Sequence, residues 1–266
     1  MIDWIHLGIV LSIIVVYGAY LLLTGPLRRR FHTPDQIWAE PVTMREILFF
    51  SAGIWVLLVA EASPLHDLSE NYLFSAHMVQ HLLMIIVAPP LLLLGTPGWM
   101  VRPLLQNRYV FKAMRFLTGW LMALVIINLS LALWHIPTFY NLALQGHIWH
   151  AVEHVMFFGG AMLLWWPLFS PVKELPRLPY PLQILYLFVQ SFVPAVIAAF
   201  LVFADHAIYS HYVEAPRIFD ITAAADQQLG GLIMKVAGTI VLWFAATIIF
   251  FVWYRQEEAE IEKSWE

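Results

Sequence analysis

Apolar residues run through this chain in long blocks set apart by short polar punctuation, and most of the blocks have the length of a membrane span. They cover about 5–24, 46–62, 72–95, 117–135, 148–169, 181–203 and 227–253. Crossing the hydrocarbon core of a bilayer takes roughly 20 apolar residues of helix. The pattern therefore predicts an all-α fold, a polytopic membrane protein whose residues 1–266 form a single seven-transmembrane-helix bundle. No soluble domain and no internal repeat interrupt it. The punctuation is Gly25-Pro26, Gly95-Thr96-Pro97-Gly98, Ile136-Pro137 and Trp166-Pro167. Pro194 falls inside the sixth block and predicts a kink, because proline removes a helical N–H donor and crowds the preceding turn. The first block lacks the small-residue cleavage site of a secretory leader and reads as a retained helix.

Composition agrees with the pattern. Hydrophobic residues make up 61% of the chain and charged residues 12%, against about a quarter charged in soluble domains. The basic residues are sorted to alternate loops: Arg28, Arg29, Arg30 and Arg45 in one, Arg102, Arg108, Lys112 and Arg115 in the next, Lys173 and Arg177 in a third, then Arg255 and Lys263. The remaining loops hold only Arg217. The positive-inside rule then puts the N-terminus outside and the C-terminus, with its acidic tail from Glu257, in the cytoplasm. No basic surface suited to nucleic acid is present.

The chain has no cysteine, which excludes disulfides, iron–sulfur clusters and thiolate metal sites. Any metal must be held by His, Met, Asp or Glu. On the predicted topology His6, His66, His77, His81, His135, His147, His150, His154, His206 and His211 fall on the outer side, and only His32 on the other. Such polarity places the chemistry at the extracytoplasmic face.

Two motifs concentrate it. His77-Met78-Val79-Gln80-His81 opens the third block, and residues four apart share a helix face. His147-Ile148-Trp149-His150-Ala151-Val152-Glu153-His154 opens the fifth and repeats the pair with a carboxylate beside it. Facing helices would supply four nitrogens to one ion, or two to each of two. Imidazole suits copper, zinc, iron and nickel, and thioethers such as Met78, Met84 and Met156 shift preference toward Cu(I). The competing readings are interhelical hydrogen bonding for the histidines and core packing for the methionines. His135, before Pro137, is either a ligand from a third helix or a cation at a helix C-terminus. Asp226-Gln227-Gln228-Leu229-Gly230-Gly231 heads the last block, where a carboxylate suits a helix N-terminus. Lys235 shares a helical face with Gln228 and Gly231, and a lysine at that depth needs a partner or water; Glu61 and Glu153 are the acidic candidates.

His77-Met78-Val79-Gln80-His81, Ala88-Pro89-Pro90, Gly95-Thr96-Pro97, Trp134-His135-Ile136-Pro137, His150-x-x-Glu153-His154 and Asp226-Gln227-Gln228-x-Gly230-Gly231 occur in that order. Over roughly residues 45–255 they resemble the multi-spanning CtaG family of cytochrome c oxidase assembly factors. The resemblance implies a protein of the bacterial inner (plasma) membrane that helps to make an active haem–copper oxidase. Copper delivery is the usual proposal, with an oxidase subunit as partner. The family's motif residues map onto His77, His81, His135, His150, His154 and Asp226. Lys235 departs from the pattern, which favours an apolar or aromatic residue there.

Three readings follow. The first is a non-enzymatic metallochaperone that binds copper at the outer face and passes it to an oxidase. A b-type haem protein or oxidoreductase, with haem held between the third and fifth spans, is the second. The third is a metal-free assembly scaffold whose histidines line a wet vestibule.

Overall fold

The computed structural model describes residues 4–25 and 42–264. The basic run Arg28–Arg30 and His32 lie outside the described residues, which are mostly helical and include no strand. Among the described residues five helices are long and apolar enough to cross a membrane: His6–Thr24 within α1 (Trp4–Thr24), Phe74–Gly95, His147–Phe169, Tyr180–Val202 and Ala223–Lys263. Two further blocks reach that length only as bent pairs. The second block is α2 (Met44–Ala62), which turns by 45° into α3 (Pro64–Asn71). Next comes α4 (Phe74–Gly95), followed by the short α5 (Gly98–Leu105). The block at 117–135 is α7 (Trp120–Trp134), met at 69° by α6 (Arg108–Leu117). The fold is thus all-helical with five to seven candidate membrane spans.

The bends have local causes. Ser63 Oγ accepts from the Leu65 N–H and Pro64 fills the first turn of α3, the pairing of residues that starts a helix afresh. Asn107 caps α6 in the same way. After α7 come α8 (Pro137–Gln145) and α9 (His147–Phe169). Then α10 (Tyr180–Val202) is interrupted at Ser191. That break lies one residue beyond Gln190, whose carbonyl Pro194 is unable to satisfy, so the expected kink falls a turn before the proline. A short α11 (Ser210–Glu214) precedes α12 (Ala223–Lys263). Among the described residues the acidic tail stays helical: α12 spans 41 residues, well past 253.

Two π-helical segments interrupt the spans, Leu83–Val87 in α4 and Ile233–Ala237 in α12. The first follows from Pro89, which has no N–H for the Ile85 carbonyl four residues earlier. Trp165 of α9 supplies the missing donor, its Nε1–H meeting the Ile85 oxygen at 2.9 Å. The indole is buried, so it locks α9 to α4 just below the histidines. On the other side α4 presses on α2 through Gly95. A Cβ there would lie 2.2 Å from the Phe50 nitrogen and 2.7 Å from the Glu46 carbonyl, so only glycine permits the backbones to approach so closely.

The second π segment changes the expectation for Lys235. In an unbroken α-helix it would share the buried face of Gly231, but the π turn begins between them and Lys235 stands exposed. Glu61 faces His154 and Glu153 faces His77 instead.

Candidate metal centre

His77 and His81 project from the first two turns of α4, and His150 and His154 from those of α9. The two pairs meet. Ring centroids are 4.1 Å apart within each pair, 6.1 Å from His77 to His150 and 5.6 Å from His81 to His154. All four side chains are buried, His77 completely. Glu153, 1% exposed, lies among them with Oε1 4.0 Å from His77 Nε2. It belongs to two sets of convergent ligand atoms, His77–His81–Glu153 and His150–Glu153–His154, each lying within 4.8 Å of one another.

The proton arrangement is set from outside the cluster. His150 Nδ1 is 2.6 Å from Glu70 Oε1 and His154 Nδ1 is 2.9 Å from Glu61 Oε1. A carboxylate on Nδ1 keeps the proton there and leaves Nε2 with a bare lone pair, as in carboxylate–histidine–metal triads. In both residues Nε2 is buried and has no hydrogen-bond partner among the described residues. The same holds for both ring nitrogens of His77 and of His81, and for Glu153 Oε2. Buried polar atoms are ordinarily paired, since each left unpaired costs about 1–3 kcal/mol. Four buried imidazoles, each able to offer one partnerless nitrogen, and one carboxylate oxygen form a donor set fitted to a transition-metal cation.

Two other residues singled out in the sequence stand apart from this group. Asp226 accepts from the backbone N–H groups of Phe74 and Ser75 at 2.7 and 3.2 Å and from Ser75 Oγ at 2.5 Å. It caps α4 from across the bundle and so fixes the helix that carries His77. Gly230 allows that docking, because a Cβ there would overlap the Phe74 ring at 2.3 Å. His135 follows α7, its Nδ1 2.8 Å from the Leu131 carbonyl. Its ring lies 6.4 Å from Tyr140 and 6.5 Å from Phe157, and those rings pack on His77 and His81 in turn. Its Nε2 is buried without a partner among the described residues, but it belongs to neither set of convergent ligand atoms, so it is a neighbour of the cluster. Met78 is buried against Gly230.

A lid of aromatic residues closes the cluster at the head of α4. Tyr140 stacks on Tyr209 at 3.9 Å and Tyr209 on Phe74 at 5.1 Å. Tyr212 donates to the Ser69 carbonyl and Tyr209 to that of His135. Burial raises the phenol pKa of both Tyr209 and Tyr212, so they remain neutral donors. Tyr140, Tyr209, Tyr212 and Glu70 were not legible as site residues in the sequence. The only local signal was the Ser63-Pro64 helix start that puts His66 and Glu70 one turn apart.

The family model for the cytochrome c oxidase caa3 assembly factor matches residues 18–256, nearly the whole chain and every motif described above. The protein is a member of that family. No curated protein and no solved structure gives a match. The geometry of this caa3 assembly factor is therefore read from its own residues.

Proposed function

We propose that this caa3 assembly factor binds copper between α4 and α9 and hands it to a subunit of a haem–copper oxidase. His77, His81, His150 and His154 hold the ion around Glu153, on the extracytoplasmic side of a seven-span bundle in the bacterial inner membrane. It carries cargo and catalyses no reaction. One observation carries the reading: four buried imidazoles with partnerless nitrogens meet around one carboxylate, two of the rings being aimed by further carboxylates. Imidazole and carboxylate donors bind copper ahead of the other divalent first-row metals, and copper is the metal that a haem–copper oxidase needs. Asp226 and His135 support the site from outside it, as helix cap and as neighbour.

The test is the metal content of protein purified without added metal, followed by copper titration. Copper retained by the wild type and lost from His81→Ala and His154→Ala is the expected result. A Soret band with no copper would instead make this a haem protein, and equilibrium dialysis finding no tight metal would make it a scaffold. A reporter fused to the C-terminus should be active only in the cytoplasm; activity outside would reverse the side assigned to the site.

A further inference from the structure

A second group of ligands lies where α1, α2 and α3 meet. His6 of α1 stacks on His66 of α3, ring centroids 4.0 Å apart and planes 20° from parallel. Glu61, at the end of α2, completes the group, and one ligand atom from each of the three lies within 4.8 Å of the others. We propose that His6, Glu61 and His66 form an outer station for a transition-metal ion, from which the ion passes inward to the His77–His81–His150–His154 cluster. The inward passage rests on the copper reading of that cluster; the station itself does not.

The chemistry of the donors supports a cation. Two imidazoles and one carboxylate are a set that copper or zinc accepts, and three protein ligands leave a position open for water or for the next ligand. As it stands, His66 keeps its proton on Nε2, and one turn of a neighbouring amide frees that nitrogen. The Gln80 amide touches His66 Nδ1 at 3.0 Å and Ser69 Oγ at 2.5 Å. Turning that amide over exchanges its donor and acceptor. In the structure its N–H₂ donates to Nδ1, its oxygen accepts from Ser69 Oγ, and the Nε2 proton faces Glu70, 3.4 Å away. Once the amide is turned, its oxygen accepts from Nδ1–H and its N–H₂ donates to Ser69 Oγ. The Ser69 proton then goes to the His66 carbonyl at 2.7 Å, and Nε2 is bare for a metal. Gln80 belongs to the His77–His81 motif, yet it serves this outer histidine.

The station joins the inner cluster without a gap. Glu61 reaches His154, and Glu70 lies between His66 and His150. Ring centroids step from His6 to His66 at 4.0 Å, to His150 at 5.8, to His154 at 4.1, to His81 at 5.6 and to His77 at 4.1 Å. Burial deepens along the file: His6 is part-exposed, then exposure runs 9, 7, 4, 4 and 0%. An ion following it exchanges one ligand at a time and is never left without donors. The family match begins at residue 18, so His6 is a ligand from outside the matched segment.

The experiment uses full-length protein in detergent, stripped by chelator, dialysed against Cu(II) and assayed for copper per chain. The wild type should hold one equivalent more than His6→Ala, whose outer affinity falls by at least about tenfold, the effect of losing even an indirect ligand contact. His66→Ala should behave alike. The double variant His77→Ala/His81→Ala should keep the outer ion and lose inner copper. Rapid-freeze electron paramagnetic resonance should show the inner cluster of His6→Ala filling more slowly. His6→Ala matching the wild type in both stoichiometry and filling rate overturns the station. If His6→Ala loses an ion while the double variant loses none, the station stands and the copper reading of the inner cluster falls.

Discussion

Replacing Glu153 by glutamine separates a working carboxylate from a structural one, because binding and stability should move in opposite directions. The side chain keeps its shape and loses its charge, and it sits 1% exposed among four imidazoles. A cation held against His77 lies about 4 Å from that charge, the observed distance from Glu153 Oε1 to His77 Nε2 being 4.0 Å. At an effective dielectric of about 20, a charge pair at that separation attracts by about 4 kcal/mol. Part of this offsets the desolvation of the buried carboxylate. The expected net loss in Glu153→Gln is therefore about 100-fold in copper affinity, about 2.8 kcal/mol. The metal-free protein should gain stability instead. The amide N–H₂ can donate to the bare imidazole nitrogens, which have no partners now, and satisfying one such group is worth about 1–3 kcal/mol. Competition against a chromophoric copper chelator measures the first effect, and thermal unfolding of stripped protein in detergent the second. Affinity within about threefold of wild type, or a lower melting temperature for the stripped variant, would refute this role for Glu153.

Three further outcomes are expected. Asp226→Ala removes three hydrogen bonds from the head of α4 and should cost at least about 1–2 kcal/mol of stability; it should still bind the full complement of copper at saturation, which a ligand variant would not. Trp165→Phe leaves the Ile85 carbonyl without its donor and should lower stability by about 1–3 kcal/mol, measured by thermal unfolding. Gly95→Ala forces a Cβ against the Phe50 and Glu46 backbone, and its melting temperature should fall by the equivalent of at least about 1–3 kcal/mol of overpacking.

The parts of the site that were legible in the sequence are those that repeat on a helical period. His77 with His81, and His150 with His154, declared a shared face by spacing alone, and the structure sets those faces against each other. What spacing does not carry is which helix meets which. Glu61 looked like a partner for Lys235 because both are ionisable and within apolar blocks, yet it meets His154, because α2 and α9 both pack against α4. Asp226 looked like a cap for its own helix or a ligand, and it caps a helix more than 150 residues away. The short helices α3, α5, α6, α8 and α11 were not read from the pattern because each has too few turns for a period to show. Lys235 was misplaced for a different reason: a π turn shifts the phase of every residue beyond it, and nothing in the local hydropathy marks the shift.

That phase shift has a genetic consequence. A π turn amounts to one residue inserted into an α-helix, and each residue advances a helix by about 100° and 1.5 Å. Deleting a single residue from Leu83–Val87 would restore a regular helix. It would also swing His77 and His81 by about a quarter turn relative to the half of α4 anchored by Gly95, away from His150 and His154. Substitutions of similar size at the same positions would leave that angle alone. The length of this segment, counted in residues, is therefore under a stricter constraint than its composition, and a reading frame preserved by a one-codon deletion would still not preserve the site.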